Sequence, residues 1–137
     1  MRIWRIVLLP VLLAALTASA TPPAAAVQDQ DDVLVDYRRQ GGFAGFDDRV
    51  AVHRDGCAWL SRRAKPAVRR CLTGEERRRL LAYLKDVTIG PSEPRPMGAD
   101  FLAYTLAYGG HRATRYSLPP SWRPVVEELD RLMEKYR

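Results

Sequence analysis

Residues 48–63, DRVAVHRDGCAWLSRR, decide the fold class of this chain. Val50 and Val52 alternate with polar or small residues, which is the period-two pattern of a half-buried strand. Asp55 and Gly56 follow, and an Asp-Gly pair between two such runs favours a β-hairpin because both residues tolerate positive φ. The segment CAWLSRR then supplies the returning strand. The sequence therefore predicts an antiparallel hairpin in the middle of the chain.

Strand patterns recur on both sides of this hairpin. The segment VLVDYRR at 33–39 alternates apolar and polar residues, and a shorter strand is predicted at 68–72. DFLAYTLAY at 100–108 and HRATRYS at 111–117 alternate in the same way and are separated by two glycines, which are typical of a tight turn. A second hairpin is therefore predicted near the C-terminus.

Two segments have helical spacing instead. Thr73 and Glu76 form a capping box, in which each side chain bonds the other residue's free amide at the start of a helix. The apolar stripe of this helix consists of Leu80, Leu81, Leu84 and Val87. The helix is predicted to end at Gly90, where a proline-rich connector begins. Residues 118–137 open with prolines and continue with a second apolar stripe, which predicts a closing helix.

The predicted fold class is α+β. Hairpin connections make the sheet antiparallel, and the elements follow in the order βββ(β)-α-ββ-α. Each helix has one apolar side, so both are expected to pack on one face of the sheet. Residues 33–137 are about the size of one small domain.

The first 20 residues have the features of a secretory signal peptide. Two arginines precede an apolar run too short to span a bilayer, and ALTASA ends in the small-x-small pattern of a signal-peptidase site. Cleavage is expected after Ala20 or after Ala26. Residues 21–32 lack apolar periodicity and are predicted to form a flexible leader. We therefore expect a secreted, extracellular protein that has no membrane span after signal cleavage.

Cysteine usage agrees with export. Cys57 and Cys71 are the two cysteines of the chain, and an even pair in an exported protein predicts a disulfide. A bridge closing a loop of this length stabilises a fold by about 3 kcal/mol, mainly by constraining the unfolded chain.

The chain is mildly basic. Two of its 22 basic residues lie in the signal segment, which leaves 20 against 16 acidic residues and a net charge of about +4. A basic cluster is formed by Arg62, Arg63, Lys65, Arg69, Arg70, Arg77, Arg78 and Arg79. It is either a solvated face or a patch for an acidic partner or an anionic cell-envelope polymer. An exported domain of this charge is not expected to bind nucleic acid.

The segment YRRQGGFAGFDDRV at 37–50 contains three glycines that resemble a phosphate-binding loop. Such loops lead into a helix whose amides hold the anion, whereas here a strand follows and the spacing differs. The segment is therefore a connection between strands. Either Phe46 plugs the core beside glycines at positive φ, or Phe43 stands exposed as an apolar anchor for a partner.

Catalytic signals are weak in this chain. His53 and His111 do not have the spacing of a zinc site, and no serine or cysteine lies in a recognisable nucleophile constellation. We expect no catalytic residue, no metal and no cofactor.

The segments VDYRRQGGFAGFDDRVAVHRDG, LTGEER, DFLAYTLAYGGHRATRYS and LPPSWRPVVEELDRLM resemble, in order and spacing, the emfourin-like family. That family is named after a bacterial inhibitor of protealysin, a thermolysin-like zinc metalloprotease. The resemblance covers about residues 33–137, and its specific pieces are the Gly-Gly-Phe-Ala-Gly loop and the Pro-Pro-x-x-x-Pro helix start. It implies a non-catalytic protein that blocks the active-site cleft of a metalloprotease. The signal peptide, the cysteine pair and the arginine-rich hairpin depart from the family pattern.

Our hypothesis for the contact loop depends on the residues themselves. It comprises Gly41, Gly42, Phe43, Gly45, Phe46, Asp47 and Asp48. Phe43 would enter a hydrophobic pocket, and Asp47 or Asp48 would lie close to the catalytic zinc. The disulfide would help to hold the loop rigid, and the free protein is expected to be a monomer. The alternative is a secreted binding module for an anionic cell-envelope polymer or a co-exported protein.

Overall fold

The structure, a computed structural model, describes residues 32–98 and 100–136. The predicted signal peptide and all of the predicted leader except Asp32 lie outside these residues. The described part contains six strands and two helices in the predicted order. They are β1 (Val33–Gly41), β2 (Phe46–His53), β3 (Cys57–Ser61), β4 (Val68–Cys71), α1 (Gly74–Lys85), β5 (Leu102–Tyr108), β6 (His111–Arg115) and α2 (Arg123–Lys135).

The strands form one antiparallel sheet in the spatial order β4-β3-β2-β1-β5-β6. Strand β1 lies at its centre, where Tyr37 faces Val50 of β2 on one side and Leu106 of β5 on the other. The chain thus makes a three-strand meander and a fourth short strand, and the C-terminal hairpin joins the free edge of β1. The predicted α+β class and antiparallel pairing are confirmed.

Both helices cover one face of the sheet. Alternate strand residues such as Tyr37, Val50 and Leu106 are buried in one cluster with Leu80 of α1 and Leu129 of α2. The opposite face carries Arg38, Arg49 and other polar side chains that remain partly exposed. This division is why the strand patterns have period two. Neither helix of the described residues is long and apolar enough to cross a membrane.

The predicted end of α1 is wrong by several residues. The helix stops at Lys85, and the amide of the following Asp86 bonds the carbonyl of Tyr83 at 3.2 Å. The chain leaves the helix here because Ile89 is buried in the core and the Thr88 carbonyl accepts a hydrogen bond from Trp122 Nε1 at 2.9 Å. Tertiary packing therefore overrides the apolar spacing.

Two members of the predicted apolar stripe are placed differently. Val87 lies beyond the end of α1, and Leu81 is 36% exposed. Leu80 and Leu84 alone among the stripe leucines face the core, because a helix packed on a sheet presents only a narrow line of residues to it.

Cys57 and Cys71 form the predicted disulfide between facing positions of β3 and β4. Strand β3 begins at Cys57 and β4 ends at Cys71, so the bridge lies at one end of the sheet. The loops 42–45 and 62–67 lie at the other end. We call that other end the tip end. Gly41 pairs with Leu102, so the start of β5 also lies there. The tip end therefore includes Met97, Gly98 and Phe101, which precede β5. The bridge and the loop 42–45 therefore lie at opposite ends of the sheet.

The two outer edges of the sheet differ, because one is paired with another segment and the other is exposed. The outer edge of β6 is paired with the proline-rich connector, where the Glu93 amide bonds the Thr114 carbonyl at 2.9 Å and Ser92 Oγ accepts from the Thr114 amide at 3.0 Å. The outer edge of β4 is exposed and carries Arg69 and Arg70. A short, charged edge strand resists pairing with other chains.

Candidate functional site

The tip of the β1–β2 hairpin is a closed turn. The Gly45 amide donates to the Gly42 carbonyl at 3.0 Å, and both glycines have positive φ, of 63° and 70°. Phe43 lies within the turn and is 95% exposed. The structure therefore supports the interpretation in which Phe43 is exposed to solvent.

The root of the loop is fixed to the strand beside it. Gly41 has φ of +86°, and a Cβ at this position would lie 2.6 Å from the carbonyl oxygen of Phe101. The same oxygen accepts a hydrogen bond from the Gly42 amide at 3.0 Å. Only glycine fits so close an approach of two backbones at positive φ. The hairpin and the segment before β5 are consequently one unit.

Phe46 does not plug the core, so that prediction is wrong. Its ring is partly exposed and is covered by the guanidinium of Arg39, whose Cζ is 4.2 Å from the ring centroid. Phe46 pairs with Gly41 at the very end of the sheet, two positions before Asp48, the nearest buried residue of β2. A cation over an aromatic face holds the ring in place.

The two aspartates of the loop hypothesis have different environments. Asp47 forms an ion pair with Arg38 at 2.9 Å and stays partly exposed. Asp48 is 1% exposed, forms an ion pair with Arg39 at 2.9 Å and accepts a hydrogen bond from the Arg63 amide at 3.2 Å. Because the Asp48 carboxylate is buried and bonded within the fold, it cannot approach a partner's zinc. Only Asp47 remains in that part of the hypothesis.

A charged network connects the hairpin to α2. Arg39 also contacts Asp130 of α2 at 3.3 Å, and Asp130 lies beside Tyr37. Burial raises the pKa of Asp130, although Arg39 opposes this effect. Burial and the nearby Asp130 raise the pKa of Tyr37 far above its ordinary value, so its hydroxyl stays protonated. The base of the hairpin is thus fixed by the sheet on both sides and by the helix above it.

Further apolar side chains are exposed at the tip end. Met97 is 99% exposed and Phe101 is 40% exposed. The Phe101 ring lies over Gly98, where a Cβ would come within 2.9 Å of it. The large hydrophobic residues exposed in the described part of the chain are Phe43, Val68, Leu81, Met97 and Phe101. Three of these five lie at the tip end, which makes it a candidate interaction surface.

Sequence reasoning missed Met97 and Phe101. The signal for them was slight, because a methionine beside a glycine in a proline-rich connector resembles any loop. Their position depends on the pairing of Gly41 with Leu102, which joins residues about 60 positions apart.

The predicted basic cluster is divided into separate surfaces. Arg62, Arg63 and Lys65 lie in the β3–β4 loop at the tip end, whereas the other five lie on β4 or α1. Several of those five have structural partners. The contacts are Arg69 with Asp55 at 3.0 Å, Arg77 with the Arg54 carbonyl at 3.1 Å, and Arg79 with Glu128 at 3.0 Å.

The histidines do not come together. His53 lies on β2 and His111 on β6, and strands β1 and β5 separate them. Within residues 32–98 and 100–136 no group of three His, Cys, Asp or Glu side chains is arranged to hold a metal ion.

No family model, curated protein or solved structure matches this chain. The resemblance to the emfourin-like family therefore stays a prediction that depends on the segments quoted above.

Proposed function

We propose that this protein is a secreted, non-catalytic inhibitor of a thermolysin-like zinc metalloprotease and that it blocks the active-site cleft with its hairpin tip. The observation that carries the proposal is Phe43, a large aromatic side chain held almost fully in water. Exposing it has no benefit for folding, since burial of a phenylalanine normally stabilises a protein by about 1.5–3 kcal/mol. An aromatic anchor on a projecting loop is typical of a binding hot spot.

The construction of the loop favours tight binding. The Gly42–Gly45 hydrogen bond, the Gly42–Phe101 hydrogen bond and the Arg39–Phe46 contact fix its conformation before any partner arrives. A preorganised loop loses little conformational freedom on association, so more of its contact energy appears as affinity.

The same closed turn makes the tip a poor substrate. Extended backbone is the conformation that adds to a protein as an extra strand, as peptide ligands commonly do. Gly42 and Gly45 have positive φ, and the turn they close is not extended. A cleft could therefore receive the Phe43 side chain without receiving a cleavable backbone.

The disulfide supports the proposed export. The Cys57–Cys71 bridge persists in oxidising compartments, which agrees with a secreted protein whose signal peptide occupies residues 1–20. The alternative function, binding of an anionic cell-envelope polymer, has less support because the basic residues are divided between separate surfaces.

The proposal is tested by titrating the mature protein, residues 21–137, into a panel of thermolysin-like proteases that includes thermolysin. Inhibition is recorded as loss of cleavage of a small fluorogenic peptide, and direct binding of the protein to each inhibited protease is measured with and without a hydroxamate ligand bound to the catalytic zinc. We expect inhibition of at least one protease, and we expect the hydroxamate to compete with the protein. Absence of inhibition across the panel, or binding that the hydroxamate does not affect, contradicts the proposal.

A further inference from the structure

The β3–β4 loop at 62–67 lies beside the hairpin tip and is bonded to it. The Ala64 amide donates to the Asp47 carbonyl at 3.0 Å, and the Arg63 amide donates to Asp48 Oδ1 at 3.2 Å. Phe46, Asp48 and the side chains of Arg62, Arg63 and Lys65 border one recess of about 320 Å³. A partner that receives the hairpin therefore also meets this loop.

The backbone of the loop adopts an unfavourable conformation. Arg63 and Ala64, with φ of 50° and 56°, are the non-glycine residues of the described chain that have positive φ. Left-handed backbone is costly for residues with a Cβ and persists where surrounding contacts enforce it. Here the two bonds to β2 and a bond from the Lys65 amide to the Arg62 carbonyl, at 3.0 Å, enforce it. Conformations of this kind concentrate at functional sites.

The charge of the loop is largely uncompensated. Arg63 and Lys65 are exposed, and their side chains have no acidic partner among the described residues. Arg62 forms an ion pair with Glu134 at 3.2 Å. The nearby carboxylates of Asp47 and Asp48 are already paired with Arg38 and Arg39. A positive potential thus flanks the apolar tip on the β3–β4 side.

We propose that Arg63 and Lys65 dock against an acidic rim beside the protease cleft and steer the approach of the hairpin. This inference depends on the proposed function and adds the charge of the partner's surface. Charges at the rim of an interface act mainly on the association rate, whereas a buried aromatic anchor acts mainly on dissociation. The two parts of the tip end therefore have separable kinetic roles.

The test measures association and dissociation rates with an inhibited protease from the panel, at 50 and 500 mM salt. The variants are Arg63→Glu/Lys65→Glu and, with the same charge change on β4 and α1, Arg70→Glu/Arg78→Glu. We expect the first to associate about tenfold more slowly at low salt, to approach the wild type at high salt, and to dissociate at a similar rate. The second should change the association rate about threefold or less. Circular dichroism and thermal unfolding confirm that each variant folds.

Equal slowing by both double variants would show that only net charge matters, and an unchanged rate in the first would show that the loop contributes nothing. Either result overturns the inference while inhibition by the wild type still supports the proposed function. Retention on a heparin column distinguishes the alternative. If the first variant loses retention but keeps its association rate, the loop binds a polyanion and the inference is wrong. A wild type that inhibits no protease overturns both proposals.

Discussion

Gly41 ends β1 and Gly45 closes the turn that follows it, and both have positive φ, yet their surroundings differ. A Cβ on Gly41 would meet the Phe101 carbonyl at 2.6 Å, whereas a Cβ on Gly45 would meet nothing within 4 Å. The first glycine is required by its conformation and by a neighbouring backbone, and the second by its conformation alone.

Gly41→Ala is therefore expected to destabilise the protein by about 3 kcal/mol or more, because the backbones must separate as well as adopt a strained φ. Gly45→Ala should cost only about 1 kcal/mol. Urea unfolding followed by tryptophan fluorescence measures both. Equal losses in the two variants would show that the contact between Gly41 and Phe101 does not constrain the loop.

At the residue scale the sequence predicts this loop better than it predicts its side chains. The glycines and their turn follow from φ preferences alone. The positions of the two phenylalanine rings depend on the register that pairs Gly41 with Phe46. This register puts Phe43 at the tip and Phe46 under Arg39. The difference between Asp47 and Asp48 depends in the same way on which carboxylate meets the β3–β4 loop.

At the scale of elements, the capping box of α1 also joins the two helices. Glu76 accepts hydrogen bonds from the Thr73 amide, Lys135 Nζ and Tyr136 Oη, and the last two residues end α2. Burial alone would raise the pKa of Glu76, but these three bonds outweigh it and hold the pKa below the ordinary value of 4.5. The carboxylate thus stabilises the folded state only while it is ionised.

A lowered pKa in the folded state predicts a definite pH dependence. The contribution of Glu76 is complete above pH 4.5 and is lost as the pH falls through the lower, folded pKa. Glu76→Gln should therefore unfold at a lower temperature than the wild type at pH 7, and the difference should shrink below pH 4.5. Melting temperatures from pH 7 to pH 3 measure this. A difference that does not change with pH would contradict the ionised role of Glu76.

The strands and the start of α1 could be predicted because their signals are local, whereas α2 begins at Arg123, five residues after the predicted position. The Asp55-Gly56 turn, the alternation of Val50 and Val52, and the capping box each act within a few residues. The end of α1 could not be predicted from the sequence. It is set by the burial of Ile89 and by the hydrogen bond from Trp122 to the Thr88 carbonyl, which joins residues 34 positions apart.

At the scale of the whole molecule, the disulfide and the proposed contact loop lie at opposite ends of the sheet. The disulfide joins β3 and β4 at one end, and Phe43 projects from the other. The bonds that hold the loop 42–45 are its own turn and its attachment to Phe101. The expectation that the bridge stiffens the loop therefore has no support from their positions.

Replacing both cysteines, Cys57→Ser/Cys71→Ser, should lower the free energy of unfolding by about 3 kcal/mol, because the unfolded chain is no longer constrained. The inhibition constant should stay within about threefold of the wild type when it is measured well below the melting temperature, since the tip is held by other contacts. Urea unfolding and inhibition titrations measure the two effects. A large rise in the inhibition constant of a folded variant would mean that the bridge does shape the tip.

The most direct test of the blocking role of the hairpin is the inhibition constant of Phe43→Ala. Leu81→Ala is the matched control, because it removes another exposed large side chain, on α1 away from the tip end. Phe43→Ala is predicted to weaken inhibition by about 2 kcal/mol, or roughly 30-fold, with the stability of the domain unchanged, while Leu81→Ala inhibits like the wild type. An inhibition constant that is the same for Phe43→Ala and the wild type would contradict the account.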